Sequence, residues 1–570
     1  MNNGVLLANP VSRRRVAVVG SSGGSAVLFG TPHELLEALE GELALVSNGA
    51  CVVAAQLVCC EAPLDGAHAR SPASLWIVDA SVSAEPQCLL RSDLRAVNER
   101  ARELDAALAK TVPTLDGVVA VSADARLGGA NCGALLAAGA SGVPVAGSGG
   151  SSLAVAAADH GCRLAGNAGG SVATSARTKA IGVAASLAGC WGEAYAPASF
   201  LGKEAPPWRS VAAELLPAFV CAAVLGRFRV LPDSARLLAP AAGAFVATKY
   251  ARDLGAVACL GGALLGALCG GSPAAAALGA VAYAVLAPHM LALASRFRAP
   301  GTLATFLVAG ALPAGLGVAF WVAVAPVADA CAAAARAAVS RALGQPLLNA
   351  AAAVALQHGA RRGWYHAYFL PAILLEHGAL AMSAVGALDV LALCCVGAGA
   401  CAAQLAVPRG PSPRQAPPPK GNPEGSPAPP PPPPPRAGAD GDLALRGLLV
   451  NLCCGDYVEA CHPFLARDRA LDVAAYAASG LAGLAGAGAR SSAYLPLPLS
   501  LFVADEPGAF AAAALVALAG PFVVGCASNA KHNARAAAAA AAAKKAAPPP
   551  DKRAPANDGP AYRTRRQSWQ

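Results

Sequence analysis

The chain has 570 residues, 55% of them hydrophobic and only 14% charged, with a formal net charge of +9 and a mean hydropathy of +0.48. A soluble domain carries about 25% charged residues, and the deficit here falls in residues 210–407 and 446–528, which sets a membrane region apart from a soluble N-terminal region. Much of the positive charge lies in the C-terminal tail, from Lys531 and Arg535 through Arg563, Arg565 and Arg566. Beside an apolar segment such a tail reads as a lipid-facing anchor, so nucleic acid is not among the expected partners.

Residues 1–200 read as a soluble domain in which short apolar strands alternate with helical stretches. The strands fall at 16–19, 52–58, 75–78, 118–121 and 143–146, and the clearest helices at 33–42 and 94–110. Leu35, Leu36 and Leu39 recur at helical spacing in the first helix. Strand–helix alternation predicts an α/β fold with a mainly parallel sheet and helices on both faces.

Three related loops follow strands in this domain. They are Gly20-Ser21-Ser22-Gly23-Gly24-Ser25, Gly147-Ser148-Gly149-Gly150-Ser151-Ser152 and Gly166-Asn167-Ala168-Gly169-Gly170-Ser171. In a parallel sheet all three lie at strand C-termini, where ligands bind. Glycine lets the backbone approach closely, and helix N-termini favour anions. Arg177 and Lys179 follow the third loop and add positive charge. The expected ligand is an anionic or phosphorylated small molecule, with Asp79 and Asp124 available for sugar hydroxyls. None of the loops is a Walker motif or a clean G-x-G-x-x-G, and tight turns with serine caps are the competing account of the same residues.

Residues 205–407 form the first part of an all-α polytopic membrane domain and 443–530 the second. Apolar segments fall near 211, 237–248, 254–271, 273–294, 301–327, 346–357, 366–385, 387–407, 446–465, 470–488, 492–504 and 508–528, giving about ten spans in a helical bundle. Residues 408–442 are a proline-rich linker and 531–570 a basic, alanine- and proline-rich tail; 408–442 and 532–570 are expected to be disordered, with a helix allowed over the alanine run near 535–547. Lys249 and Asp253 stand at i,i+4 spacing for an ion pair.

Two polar clusters interrupt the apolar segments. The first runs from Gln357 through Arg361, Arg362, Trp364, Tyr365 and His366 to Pro371 and Glu376. Arg361, Arg362 and His366 fit an interfacial belt with Trp364 and Tyr365. Glu376, with apolar residues on both sides, is expensive in lipid and is expected to be functional. The second cluster holds Gly455, Asp456, Glu459 and His462; on a helix Asp456 and Glu459 share a face. Glu459-x-x-His462 has the spacing of half a di-iron motif, but no second copy stands in the membrane region, so neither a metal nor a cofactor is expected.

The stretches WYHAYFLPAILLEHG (364–378) and GDYVEACHPF (455–464) resemble a IIC-type sugar permease of the phosphotransferase system. The resemblance covers at most residues 210–528 and implies that His366 and Glu376 bind sugar hydroxyls, with Asp456 and Glu459 beside them. The first strand, glycine loop and helix are similar in outline to a IIB domain. Ser21 and Ser22 stand where that domain carries a phosphorylated cysteine, and the loop has none. The implied protein is therefore a permease without the coupled phosphoryl relay. Its partners would be a small polar solute, an anionic ligand on the soluble domain, the bilayer, and a second copy in a homodimer. The N-terminal domain and basic tail are expected on the cytoplasmic side. The competing readings are a membrane-embedded enzyme acting on a phosphorylated substrate, disfavoured by the lack of histidine in the three loops, and a receptor-like sensor.

Overall fold

A computed structural model describes residues 13–23, 31–62, 67–80, 83–148, 150–167, 175–201, 214–215, 218–219, 221, 234–380, 382–409, 439–453, 455 and 461–546. The N-terminal part is an α/β domain around a seven-stranded sheet, β1 (Arg14–Gly23), β2 (Ala50–Cys60), β3 (Pro72–Asp79), β4 (Ser83–Asp93), β5 (Gly117–Val121), β6 (Val145–Ser148) and β7 (Leu164–Asn167). The spatial order is β4-β3-β2-β1-β5-β6-β7. Strands β2, β1, β5, β6 and β7 run parallel, while β3 is antiparallel to both β2 and β4. The parallel sheet was legible in the sequence, but β4 was not. It is a polar edge strand carrying Pro86, as an edge permits.

Helices α1 (Pro32–Leu43) and α5 (Ala176–Trp191) cover one face of the sheet; α2 (Leu94–Thr111), α3 (Cys132–Ser141) and α4 (Gly150–Asp159) belong to the other. Local chemistry fixes α1. Thr31 and Glu34 form a capping box, Pro32 begins the helix, and Leu35, Leu36, Leu39 and Leu43 make one buried stripe. The chain winds from β1 to β2 in one direction and to β5, β6 and β7 in the other, so the winding reverses between β1 and β5.

The remainder is helical: α6 (Leu238–Tyr250), α7 (Ala256–Leu268), α8 (Pro273–Arg296), α9 (Gly301–Ala323), α10 (Ala325–Leu343), α11 (Pro346–Arg361), α12 (Leu370–Leu380), α13 (Ala384–Ala406), α14 (Ala439–Cys453), α15 (His462–Arg467), α16 (Arg469–Ala485), α17 (Leu497–Val503) and α18 (Pro507–Ala546). Among the described residues, four helices are long and apolar enough to cross a membrane: α8, α9, α13 and α18 over Pro507–Ala542. The expectation of about ten spans is thereby corrected. Most other apolar segments fold as helices of 13 to 17 residues, such as α6, α7, α11 and α16. At 1.5 Å per residue these reach roughly 20–25 Å, short of a hydrocarbon core of about 30 Å. The segment at 492–504 yields only the seven-residue α17.

Three helical stretches carry π turns, at Leu307–Ala311, Tyr365–Phe369 and Val390–Cys395. Residues 410–438 and 547–570, most of the expected linker and tail, lie outside the described residues. The tail boundary moves, because α18 runs through Lys531 and the alanine run to Ala546, as alanine's helix propensity favours.

The two parts share packing. Ile181 and Ala185 of α5 belong to the same buried cluster as Phe200, Tyr250, Leu265, Tyr283 and Leu291 of the helical part. Arg177 pins the junction. Its guanidinium pairs with Glu42 at 3.2 Å and Asp253 at 3.4 Å, donates to the carbonyls of Ala198 and Ser199, and lies over the Phe200 ring. The expected Lys249–Asp253 pair is therefore corrected. Lys249 bonds Glu214 at 2.6 Å instead, because α6 ends at Tyr250 and the turn Arg252–Leu254 swings Asp253 toward α5.

Candidate functional sites

In the α/β domain the glycine strands end on one sheet edge. Gly20 pairs with Val121, and Val121 with Ser148, so β1, β5 and β6 present one row; Gly147 pairs with Asn167 of β7. Gly20, Ser21, Ser22 and Gly23 extend β1, pairing onward to Cys60, instead of forming a loop. The physical reason is that β2 runs on to Cys60 and supplies backbone partners to the end. Gly20 and Gly147 are required by close packing. A Cβ at Gly20 would lie 2.7 Å from the Val121 carbonyl oxygen, and one at Gly147 would overlap the carbonyl of Ala120. Gly166 is held in the same way against the Ser186 hydroxyl. Gly149, Gly169 and Ser171 lie outside the described residues, as do the side chains of Ser22 and Asn167.

Ser148 is the expected residue that gains most. It is 6% exposed, and its hydroxyl meets no partner among the described residues. A buried, unsatisfied hydroxyl at a strand C-terminus costs about 1–3 kcal/mol unless a ligand or water meets it. Beside it Ser122 holds a left-handed backbone with φ 47° and donates its N–H to the Ser148 carbonyl. Lys179, in the first turns of α5, is 6% exposed, and burial pushes its ammonium down to about 8. Asp124 pairs with Arg126 at 2.9 Å. Asp79 does not join this edge. Strand β3 is antiparallel, so its C-terminus lies at the opposite end of the sheet. The carboxylate at the correct edge is Glu61, immediately after β2, which the sequence pattern does not mark because the apolar run gives no sharp strand boundary there.

In the helical part Glu376 is 1% exposed. Its Oε2 accepts from the Ser383 hydroxyl and, at 3.1 Å, from the Val385 N–H; Oε1 has no partner among the described residues. Ser383 caps α13, so the carboxylate sits against the N-terminal end of that helix, where the dipole and free N–H groups favour negative charge. Ser383 also forms a two-residue antiparallel bridge with Ser491, through N–H to carbonyl bonds of 2.9 and 3.2 Å. A non-helical stretch of chain, from Arg490 to Pro496, thus enters the bundle at the break between α12 and α13.

That stretch gathers further polar groups. The Tyr494 hydroxyl lies 2.8 Å from that of Tyr365, and Asp389 stands beside Tyr365. Tyr494 holds φ 60°, a left-handed conformation costing roughly 1–2 kcal/mol in a non-glycine residue. Gly455 holds φ 62° and presses on the Leu495 carbonyl so closely that any Cβ would overlap it. The second sequence cluster therefore begins against the same non-helical segment that carries Ser491. Asp456 and Glu459 themselves lie outside the described residues. The backbone of His366 is in the π turn next to Tyr365, and its side chain is not among the described ones. The clusters meet a second time: Arg361 and His462 line one cavity of about 380 Å3 with Arg469 and Asp472. Arg361 pairs with Asp472 and lies 4.4 Å over the Tyr476 ring.

Ser383, Ser491 and Tyr494 were not legible as site residues in the sequence. Serine and tyrosine in apolar runs carry no spacing signal, and only the broken helix brings them together. Comparison of the chain with models of known families, with curated proteins and with solved structures gives no match.

Proposed function

We propose that the chain is a multi-pass membrane transporter for a small polar solute, of the sugar class that the permease resemblance implies, and that its α/β domain binds an anionic or phosphorylated regulatory ligand. The observation that carries this reading is Glu376, a buried carboxylate at the break between two helices, one oxygen of which meets no partner among the described residues. A carboxylate at membrane depth costs several kcal/mol unless hydrated, paired or protonated. Non-helical backbone at that depth is tolerated only where protein buries it or water reaches it. Interrupted helices whose ends face a polar centre are how secondary transporters hold solutes. In this arrangement Glu376 accepts hydroxyls of the solute, and Glu459, Asp456 and His366 contribute from the neighbouring segments. The lipid bilayer is the principal partner, with the α/β domain and basic tail on the cytoplasmic side and a homodimer as the assembly.

Uptake of a panel of radiolabelled sugars and sugar acids by proteoliposomes tests the reading. Wild-type protein accumulates at least one of them. Glu376→Gln lowers that uptake about 10- to 100-fold, as expected for loss of a charge-assisted hydrogen bond. Unchanged uptake by both Glu376→Gln and Glu459→Gln, or no uptake by wild type of any compound, sinks the assignment.

A further inference from the structure

The anion-ligand reading of the α/β domain leaves the rest of that ligand undefined, and a second cavity beside the glycine row supplies it. Ligands of a doubly wound sheet bind outside the strand C-termini where the winding reverses, here between β1 and β5. One strand further, at the C-terminal end of β2, a cavity of about 480 Å3 opens between the start of α1 and the β3–β4 hairpin. Its volume lies within the range of small-molecule sites, about 300–1,000 Å3. Glu34, Cys59, Glu61, Ser74, Trp76 and Arg91 line it. Register explains why they meet. Cys59 pairs with Ser74 and Ser74 with Arg91, so these three share one face, and residues two apart along a strand add Trp76 and Glu61 to it.

The lining has a definite chemistry. The Trp76 indole N–H is held by the Ser74 hydroxyl at 2.9 Å, which fixes the ring and leaves a flat apolar surface for stacking. Glu61 is exposed at the end of the strand that neighbours the glycine-bearing β1. In sheets wound this way, a carboxylate at that position accepts from the vicinal hydroxyls of a ribose. Neighbouring strands lie about 4.8 Å apart and Cys60 stands three residues beyond the row that Gly20 shares with Val121, so the end of β2 is roughly 14 Å from the end of β5, across the reversal point. An extended nucleotide spans that distance, with its nucleoside at one end and its phosphates at the other. The buried hydroxyl of Ser148, which meets no partner among the described residues, stands at the phosphate end.

We propose that this cavity takes the nucleoside part of a nucleotide, with Glu61 on the ribose diol, Trp76 stacked on the base, and the phosphates directed toward Ser148. The proposal rests on the anion-ligand reading of the domain and names the ligand class. Calorimetric titration of the full chain in nanodiscs, with adenosine, adenosine diphosphate, ribose 5-phosphate and inorganic phosphate, tests it. Adenosine diphosphate binds; Glu61→Gln and Trp76→Ala each weaken it about tenfold, the scale of one base–aromatic stack, and leave the weaker phosphate binding unchanged. Ser148→Ala weakens both. Adenosine binding that depends on Glu61, with no gain in affinity for adenosine diphosphate and no binding of ribose 5-phosphate or inorganic phosphate, supports the nucleoside cavity and overturns the phosphate end together with the anion reading. Ribose 5-phosphate binding as tightly as the diphosphate, with no effect of Trp76→Ala, overturns the nucleotide while keeping the anion. Binding of none of the four overturns both. Wild-type melting temperatures in the variants confirm that any loss is local.

Discussion

Lys179 shows what a single buried charge does to this fold. At 6% exposure its ammonium is held down to about 8, because burial disfavours the charged form. The unfolded chain keeps the proton up to the ordinary value of 10.5. Between those two values the unfolded state binds more protons, so stability rises with pH across that window. Below it both states are protonated and the penalty is fully present, at about 3 kcal/mol for a difference of this size. Replacing Lys179→Met should flatten the rise in melting temperature between pH 8 and 10.5 and raise it at neutral pH. A slope as steep as wild type would place the titration on another group. The lysine was legible in the sequence as a residue beside a glycine loop; its burial was not, because α8 and the turn Arg252–Leu254 of the distant helical part pack against α5.

At the scale of elements, caps come from far along the chain as well as from near. Helix α3 follows Asn131, which makes no side-chain cap. Instead Asp105 of α2 accepts from the Gly133 N–H and, at 3.1 Å, from the Ala134 N–H. Burial raises the Asp105 carboxyl above the usual range, and those two N–H bonds oppose the rise. Asp105→Ala should cost about 2 kcal/mol in chemical denaturation, the upper range for losing a cap, whereas Asp105→Asn, with one acceptor oxygen in place of two, should lose about half of that. Equal losses for the two variants would mean that packing, and not the cap, is responsible. The helical elements show the opposite limitation. Apolar composition marks where helices lie, but not how long each one runs. Segments expected to span fold as helices too short to cross, ending at Tyr250, Leu268, Arg361 and Ala485, where glycines, prolines and π turns redirect the chain.

For the whole molecule, the α/β domain is not simply appended to a helical bundle. The C-terminal third of α8, from His289, lies against α5 and Tyr195: His289, Ala292, Leu293 and Arg296 line a cavity with Ala185, Ala188 and Gly189, and a Cβ on Gly166 would come within 3.7 Å of the Ser295 carbonyl oxygen. The remaining stretch, from Pro273 to Pro288, is about 24 Å long, less than a hydrocarbon core. Helix α8 is therefore shared between the two parts. A fragment ending at residue 200 would expose the Ile181 and Ala185 face. It should bind a hydrophobic dye and aggregate, in contrast to the α/β domain within the full chain. A monomeric fragment with a sharp melting transition and no dye binding would show that this shared core is dispensable.

The sequence by itself determined whatever depends on neighbours along the chain. Strand–helix alternation set the parallel sheet, the capping box at Thr31 and Glu34 set α1, and the cost of a carboxylate among leucines was enough to single out Glu376. Tertiary structure decided what depends on residues far apart. It reversed the direction of β3 and so removed Asp79 from the ligand edge in favour of Glu61. It also brought Ser383 to Ser491 from a distant part of the chain, and set Gly455 against Leu495. The reason is one of range. Hydrophobic period and capping are read within a few residues, where chain geometry fixes which side chains meet. Strand direction, helix length and the pairing of buried polar groups are instead settled by which distant backbone can satisfy an N–H or a carbonyl once water is gone.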